Sequence, residues 1–361
     1  MTTFNLPNDH RPYADKYFLR SKEILEKEEL NPVVKLQVFV RKGICQIFGI
    51  EEAIAILTKY SDIEKTGHVY ALPEGAPIGN CETVMLIEAP IQSIIDLETM
   101  YLGVISAETT LRNGGKDVNL ASIEATMQSI VDKVPGRPVM YFGARHWRYD
   151  RDMEIAEACF KGGASDCSTD AGAANVSKLG VGTIPHALEA VYHWKCGIDH
   201  AVMGSVLAFN KYIDKDVPRI ALVDYANKEV LDSLAVAIEL DGECGIRIDT
   251  CGENWMEGVL PASDADRGVS ERGVWLVRKI LNDAGFNGVK IVLSSGFANP
   301  DKVERFVKFE QETGMKMFDS LGVGQVFEAR CATGDIVEVE GMEVHKIGRP
   351  YKSNHRMVQV F

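Results

Sequence analysis

A chain of 361 residues, 46% hydrophobic and 25% charged, has enough apolar mass for one large α/β domain and a smaller one. Its formal charge of −13 leaves no basic field for nucleic acid or anionic membrane. An anionic ligand therefore has to be held by a few local cations and backbone N–H groups. The opening MTTFNLPNDHRPYADKYF has no basic stretch followed by an apolar one, and no later run nears the roughly 18 apolar residues of a membrane span, so a soluble, cytoplasmic protein is expected.

In chain order, SKEILEKEE (21–29) reads as a charged helix, VVKLQVFVRKG as a strand and EEAIAILTK as a helix. GHVYALPEGAPIGNCETVMLIEAP, with apolar runs broken by Pro and Gly, reads as a small sheet of hairpins, and a long helix is expected from Ile91 to about Arg112. From residue 116 the texture becomes short apolar strands alternating with amphipathic helices: 138–142, 219–224, 245–249, 290–295 and 318–324, with weaker strands before Ser165 and His186. The helices NKEVLDSLAVAIELDG and NPDKVERFVKFEQETG fall between them. Repeated β/α units suit a closed or irregular barrel, and IVEVEGMEVHKIG turns around Gly341 like a hairpin. The expected division is an N-terminal α/β domain over 1–115, a β/α barrel over 116–335 and C-terminal strands over 336–361 that pack back on the first domain. Eight scattered cysteines show no CxxC pair, and most are expected as buried thiols, without disulfides or structural zinc.

Active sites of β/α barrels lie at the carboxyl ends of the strands. Ser294, Ser295 and Gly296, with Gly322 and Gly324, are small residues after the last two strands, where backbone N–H groups can approach a phosphate or simply form tight turns. Arg247 and Asp249 alternate onto one strand face, placing a cation beside a carboxylate that could hold sugar hydroxyls, pyrophosphate or Mg²⁺, or form a salt bridge. Phe142 and Arg145 could bracket a planar acid, since the guanidinium fork donates two parallel hydrogen bonds to a carboxylate. In GTIPHAL, His186 is either a turn residue or a nucleophile or base. The second role requires an orienting partner, and Glu189 is the one carboxylate nearby in sequence. Gly182 and Thr183 could leave space for an anion or donate to it.

Taken in order, DKYFLR (15–20), FGAR (142–145), GTIPHAL (182–188), RIDT (247–250), KIVLSSG (290–296) and FDSLGVG (318–324) resemble the nicotinate phosphoribosyltransferase family, most closely its shorter archaeal-type members. The resemblance implies an irregular β/α barrel of the type II phosphoribosyltransferase kind with an N-terminal α/β domain, and a homodimer with shared active sites. It implies transfer of phosphoribosyl from phosphoribosyl pyrophosphate to nicotinate in NAD biosynthesis, with Mg²⁺ as cofactor and ATP as co-substrate. By the same resemblance Phe142 stacks on the pyridine, Arg145 pairs with its carboxylate, Thr183 contacts substrate, and Tyr17 closes the other ring face from the partner subunit. Arg247 and Asp249 contact the donor, Asp249 meeting ribose hydroxyls or metal. Ser294, Ser295, Gly296, Gly322 and Gly324 cradle the 5′-phosphate, and His186 is phosphorylated by ATP.

The chain departs from the family pattern at His146, where a second arginine is common, at Ser295, where glycine is usual, and at Asn227, where relatives tend to be acidic. Rival readings are a decarboxylating quinolinate phosphoribosyltransferase, a sugar-phosphate aldolase or isomerase, and an inactive nucleotide-binding regulator.

Overall fold

The computed structural model describes residues 4–41 and 43–361. Its β-branched and alternating runs give, in chain order, β1 (Val33–Val40), β2 (Cys45–Gln46), β3 (His68–Ala71), β4 (Pro77–Ile78) and β5 (Thr83–Pro90). There follow β6 (Val139–Tyr141), β7 (Asp166–Cys167), β8 (Ile220–Leu222), β9 (Gly245–Ile248), β10 (Lys290–Leu293) and β11 (Ser320–Val323). The last strands are β12 (Ala332–Val339), β13 (Met342–Glu343) and β14 (Val358–Gln359). β1 ends at Val40, short of the sequence expectation, and Lys42 lies outside the described residues.

Among the described residues two six-stranded sheets and a two-stranded one, β2-β4, result. The antiparallel six-stranded one runs β13-β12-β1-β5-β3-β14, so strands from the end of the chain flank β1 and β3. The β12–β13 hairpin turns on Glu340 and Gly341, both at positive φ (49° and 76°), the conformation a two-residue hairpin needs to match strand twist. The second sheet is parallel, β7-β6-β11-β10-β9-β8, and its carboxyl ends share one rim. No helix is long and apolar enough to cross a membrane among the described residues.

The structure departs from the sequence expectations at identifiable places. The first long helix is Lys16–Lys27 rather than 21–29. The helix expected from Ile91 is broken by a 3₁₀ turn at Ile95–Leu97, after which Glu98–Arg112 runs almost wholly buried. No strand precedes His186, because Gly180, Gly182 and Pro185 interrupt that stretch. The parallel ladder is accordingly an open run of six. Residues 181–183 span the gap between its outer strands with single bonds: the Val181 N–H donates to the Cys167 carbonyl at 2.8 Å and the Thr183 hydroxyl to the Ile220 carbonyl at 2.6 Å.

Helix Glu98–Arg112 joins the two halves. A Cβ at Gly103 would lie 2.2 Å from the carbonyl oxygen of Trp147, so glycine is what lets the helix touch the loop after β6 that carries Arg145. Helix propensity alone favours alanine at a mid-helix position by about 1 kcal/mol. The overlap with rigid backbone reverses that preference. Gly103→Ala should destabilise by about 1–3 kcal/mol, read as a lowered denaturant midpoint; a midpoint at or above wild type would contradict the close packing.

Candidate active site

At the carboxyl rim of the parallel sheet a cavity of about 750 Å³ opens. Its walls bring together residues that the sequence separates widely: Phe142, His186, Arg247, Asp249, Ser294 and Gly322. Arg145, Ser295, Gly296, Gly324 and Tyr17 also face it. Thr183 does not line it; that hydroxyl is bonded to Ile220, which gives it a place in the frame between the outer strands.

Parallel pairing of β9 with β10 sets Arg247 opposite Val292, two residues before Ser294. The Arg247 Nε donates to Ser294 Oγ at 2.9 Å, and the Ser294 hydroxyl donates to Asp249 Oδ1 at 2.7 Å. Arg247 also reaches Asp249 Oδ2 at 3.2 Å, closing a three-residue ring. Burial opposes ionisation of Asp249, but Arg247, Lys346 and His186 together outweigh it and hold the carboxyl below its usual range. The same guanidinium lies 5.3 Å from the Phe142 ring centroid. A Cβ at Gly322 would come within 2.5 Å of that ring, so glycine makes room for it.

The loop after β10 turns through consecutive left-handed residues, Ser295 (φ 68°) and Gly296 (φ 83°). Ser295 thus occupies a conformation that favours glycine, the residue the family resemblance leads one to expect there. Behind the loop Lys302 donates to the Ser295 carbonyl at 3.0 Å, and burial pushes its ammonium down to about 8. Lys302 was not evident from the sequence because it sits in the first turn of the next helix, among ordinary surface charges.

Arg145 points back toward the N-terminal segment that carries Asp15 and Tyr17. It donates to the Tyr17 hydroxyl, which in turn donates to Asp15 Oδ2 at 3.2 Å, and the guanidinium lies 3.8 Å from the same carboxylate. Tyr17, which the resemblance places on a partner's ligand, is 7% exposed and lines the cavity of its own chain. His146 adds no positive charge: burial, reinforced by Arg145, pushes its imidazole down to about 4.

His186 is the first residue of helix His186–Cys196, entered through Pro185. Its partner is Asp224, just past β8, with Nε2 and Oδ1 3.0 Å apart; Glu189 is not that partner. Glu189 is fully buried with neither carboxyl oxygen hydrogen-bonded, and burial pushes it far above its usual range. The second Asp224 oxygen accepts from Lys346. Neither Asp224 nor Lys346 was anticipated from the sequence: the aspartate reads as the end of a strand, and the lysine lies 122 residues further on.

Residues 15–108 match the family described as quinolinate phosphoribosyl transferase, N-terminal domain. A nicotinate phosphoribosyltransferase of Bacillus subtilis (strain 168) is 27% identical over 228 residues, 63% of this chain and 40% of the relative, so the match spans less than half of that curated protein. The chain resembles the nicotinate phosphoribosyltransferase family. A putative nicotinate phosphoribosyltransferase from Saccharomyces cerevisiae superposes with a TM-score of 0.70 at 14% identity, covering 96% of this chain and 94% of that one, which shows a shared fold. A nicotinate-nucleotide pyrophosphorylase from Pyrococcus furiosus is 26% identical over 100% of this chain and 86% of its own, with a TM-score of 0.48.

Glu98, also on the cavity wall, offers a test of the site's electrostatics. Burial pushes its carboxyl up to about 8, against the pull of Arg145. Its folded-state pKa lies above the unfolded value, so the stability it contributes is present in acid and is lost as pH rises toward 8. The urea midpoint of Glu98→Gln relative to wild type should therefore rise between about pH 5 and about pH 8.5. An unchanged difference would show that Glu98 titrates normally.

Proposed function

We propose that the chain transfers a phosphoribosyl group from phosphoribosyl pyrophosphate to nicotinate, yielding nicotinate mononucleotide and pyrophosphate, with ATP hydrolysis coupled through His186. The observation that carries this reading is the gathering of the Arg247–Ser294–Asp249 ring, the Phe142 face, two glycine-containing loops and an Asp-held histidine in one cavity. The open parallel run, bridged by residues 181–183, is read as the wall of an irregular barrel.

In the transfer, the pyridine nitrogen attacks C1′ as the C1′–pyrophosphate bond breaks, and positive charge develops on the ribose. Phe142 supplies a flat apolar face for the ring, and Arg145 a fork for its carboxylate. Ionised Asp249 lies where it can accept ribose hydroxyls and stabilise an oxocarbenium-like centre. The 5′-phosphate is read into the Ser294–Gly296 and Gly322–Gly324 loops, with Lys302 bracing the first from behind.

Among the described residues no group of three His, Cys, Asp or Glu side chains could hold a metal by itself. One carboxylate, Asp249, faces the donor site, a set that suits Mg²⁺ carried chiefly by substrate phosphates and water. Bound in that way, Mg²⁺ would supply positive charge to the departing pyrophosphate.

In the coupled step, Nε2–H donates to Asp224 and Nδ1 carries the lone pair. Attack by Nδ1 on the γ-phosphorus of ATP forms the N–P bond and releases ADP; water later breaks that bond and releases phosphate. The match of residues 15–108 favours one second reading, a quinolinate-type enzyme. Arg145 with a neutral His146 is a thin cation set for a diacid.

Incubation with phosphoribosyl pyrophosphate, Mg²⁺ and nicotinate, nicotinamide or quinolinate, with and without ATP, separates these readings. Mononucleotide from nicotinate, stimulated by ATP, is expected; turnover of quinolinate alone, with CO₂ released, would overturn the proposal. His186→Ala should lose the ATP stimulation and keep slower ATP-independent transfer. Undiminished ATP hydrolysis in that variant would remove His186 from the coupling.

A further inference from the structure

Lys346 reaches the site from the far end of the chain. After the β12–β13 hairpin, the Val344 N–H donates to the Val337 carbonyl at 3.0 Å, and the Ile347 N–H donates to the Tyr225 carbonyl at 3.0 Å. Asn254 Nδ2 donates to the Ile347 carbonyl at 2.7 Å, and Arg349 pairs with Asp335 at 3.0 Å. These bonds pin the segment on both sides of Lys346 across the loops after β8 and β9. The lysine is 5% exposed, and its ammonium donates to Asp224 Oδ2 and lies 3.4 Å from the Asp249 carbonyl oxygen.

We propose that Lys346 is a positioning residue for His186: by taking the second oxygen of Asp224 it fixes the carboxylate that holds Nε2 and thereby presents Nδ1 to the cavity. The proposal rests on the reading of His186 as phosphoryl acceptor.

An imidazole paired with a buried carboxylate alone is drawn toward the imidazolium, because the carboxylate favours the charged ring. An imidazolium has no lone pair on Nδ1 and cannot attack phosphorus. Here the carboxylate is shared. Asp224 has no exposed surface, and Lys346 and His186 together outweigh burial to keep it ionised. Burial first and Lys346 second hold His186 below its usual range, against the opposing pull of Asp224.

The other groups facing the ring fit this account. Asp249, after β9, favours the imidazolium, as Asp224 does, while Tyr225 lies 6.4 Å away, ring centroid to ring centroid. Glu189, on the histidine's own helix, is held protonated by its burial and adds little charge. Lys346 is thus the cation that offsets the Asp224 carboxylate at the histidine.

The test is NMR titration of the ring nitrogens of His186 in ¹⁵N-histidine-labelled full-length protein, without ATP, in wild type, Lys346→Met and Lys346→Arg. In Lys346→Met the midpoint should rise by about one pH unit or more, since an opposing charge within contact distance has been removed. Lys346→Arg should keep the wild-type midpoint and the Nε2–H tautomer. Lys346→Gln, which keeps a donor without the charge, should behave as Lys346→Met and replaces it if the methionine variant does not fold. An unshifted midpoint in either uncharged variant, with wild-type circular dichroism, would overturn the proposal. Because no nucleotide is present, failure of His186 to accept phosphate in the wild type would sink the coupling reading and leave this result to stand or fall by itself.

Discussion

Asp224 has no surface exposed to solvent, and a carboxylate so placed persists as an anion only where its charge is met by immediate partners. Its two oxygens are met from distant parts of the chain, one by His186 at the start of helix His186–Cys196 and the other by Lys346 beyond the C-terminal hairpin. Removing either partner would leave one oxygen of a buried carboxylate without its hydrogen bond. The requirement locks together β8, which delivers the aspartate, the helix that begins at the histidine, and the segment returning from the antiparallel sheet. The cavity between the two sheets is held in shape by this buried ion network.

A second polar network, at the other end of the cavity, follows similar logic with a different outcome. Arg145 is balanced by Tyr17 and Asp15, and Thr99 donates to the same Asp15 oxygen at 3.1 Å. On the proposed reading, a carboxylate ligand would enter beside an anion already in place and would have to exchange partners around one guanidinium. By contrast, the Arg247–Ser294–Asp249 ring is fully formed between adjacent strands and provides rigid orientation.

Much of this was legible in the sequence where the signal is local. The glycines and serines after the last two parallel strands, the alternation that puts Arg247 and Asp249 on one face, and the hairpin at Gly341 can each be read within a few residues. The contacts that complete the site were not, because they depend on chain return. Asp224 reads as the polar end of an apolar strand, and Lys346 as one lysine of a C-terminal tail. Glu189 was the natural partner for His186 by sequence distance, yet its helical position turns it into the interior, where both oxygens lack partners. The strand expected before His186 failed for a local reason: the glycines and the proline on the approach to the histidine prevent a ladder.

The central claim is that Nδ1 of His186, presented by Asp224, accepts phosphate. The most direct measurement is ³¹P and ¹⁵N NMR of histidine-labelled protein mixed with ATP and Mg²⁺. The account predicts a phosphoramidate on Nδ1 with Nε2 still protonated. Phosphate on Nε2, or none on His186 while ATP is consumed, would contradict it.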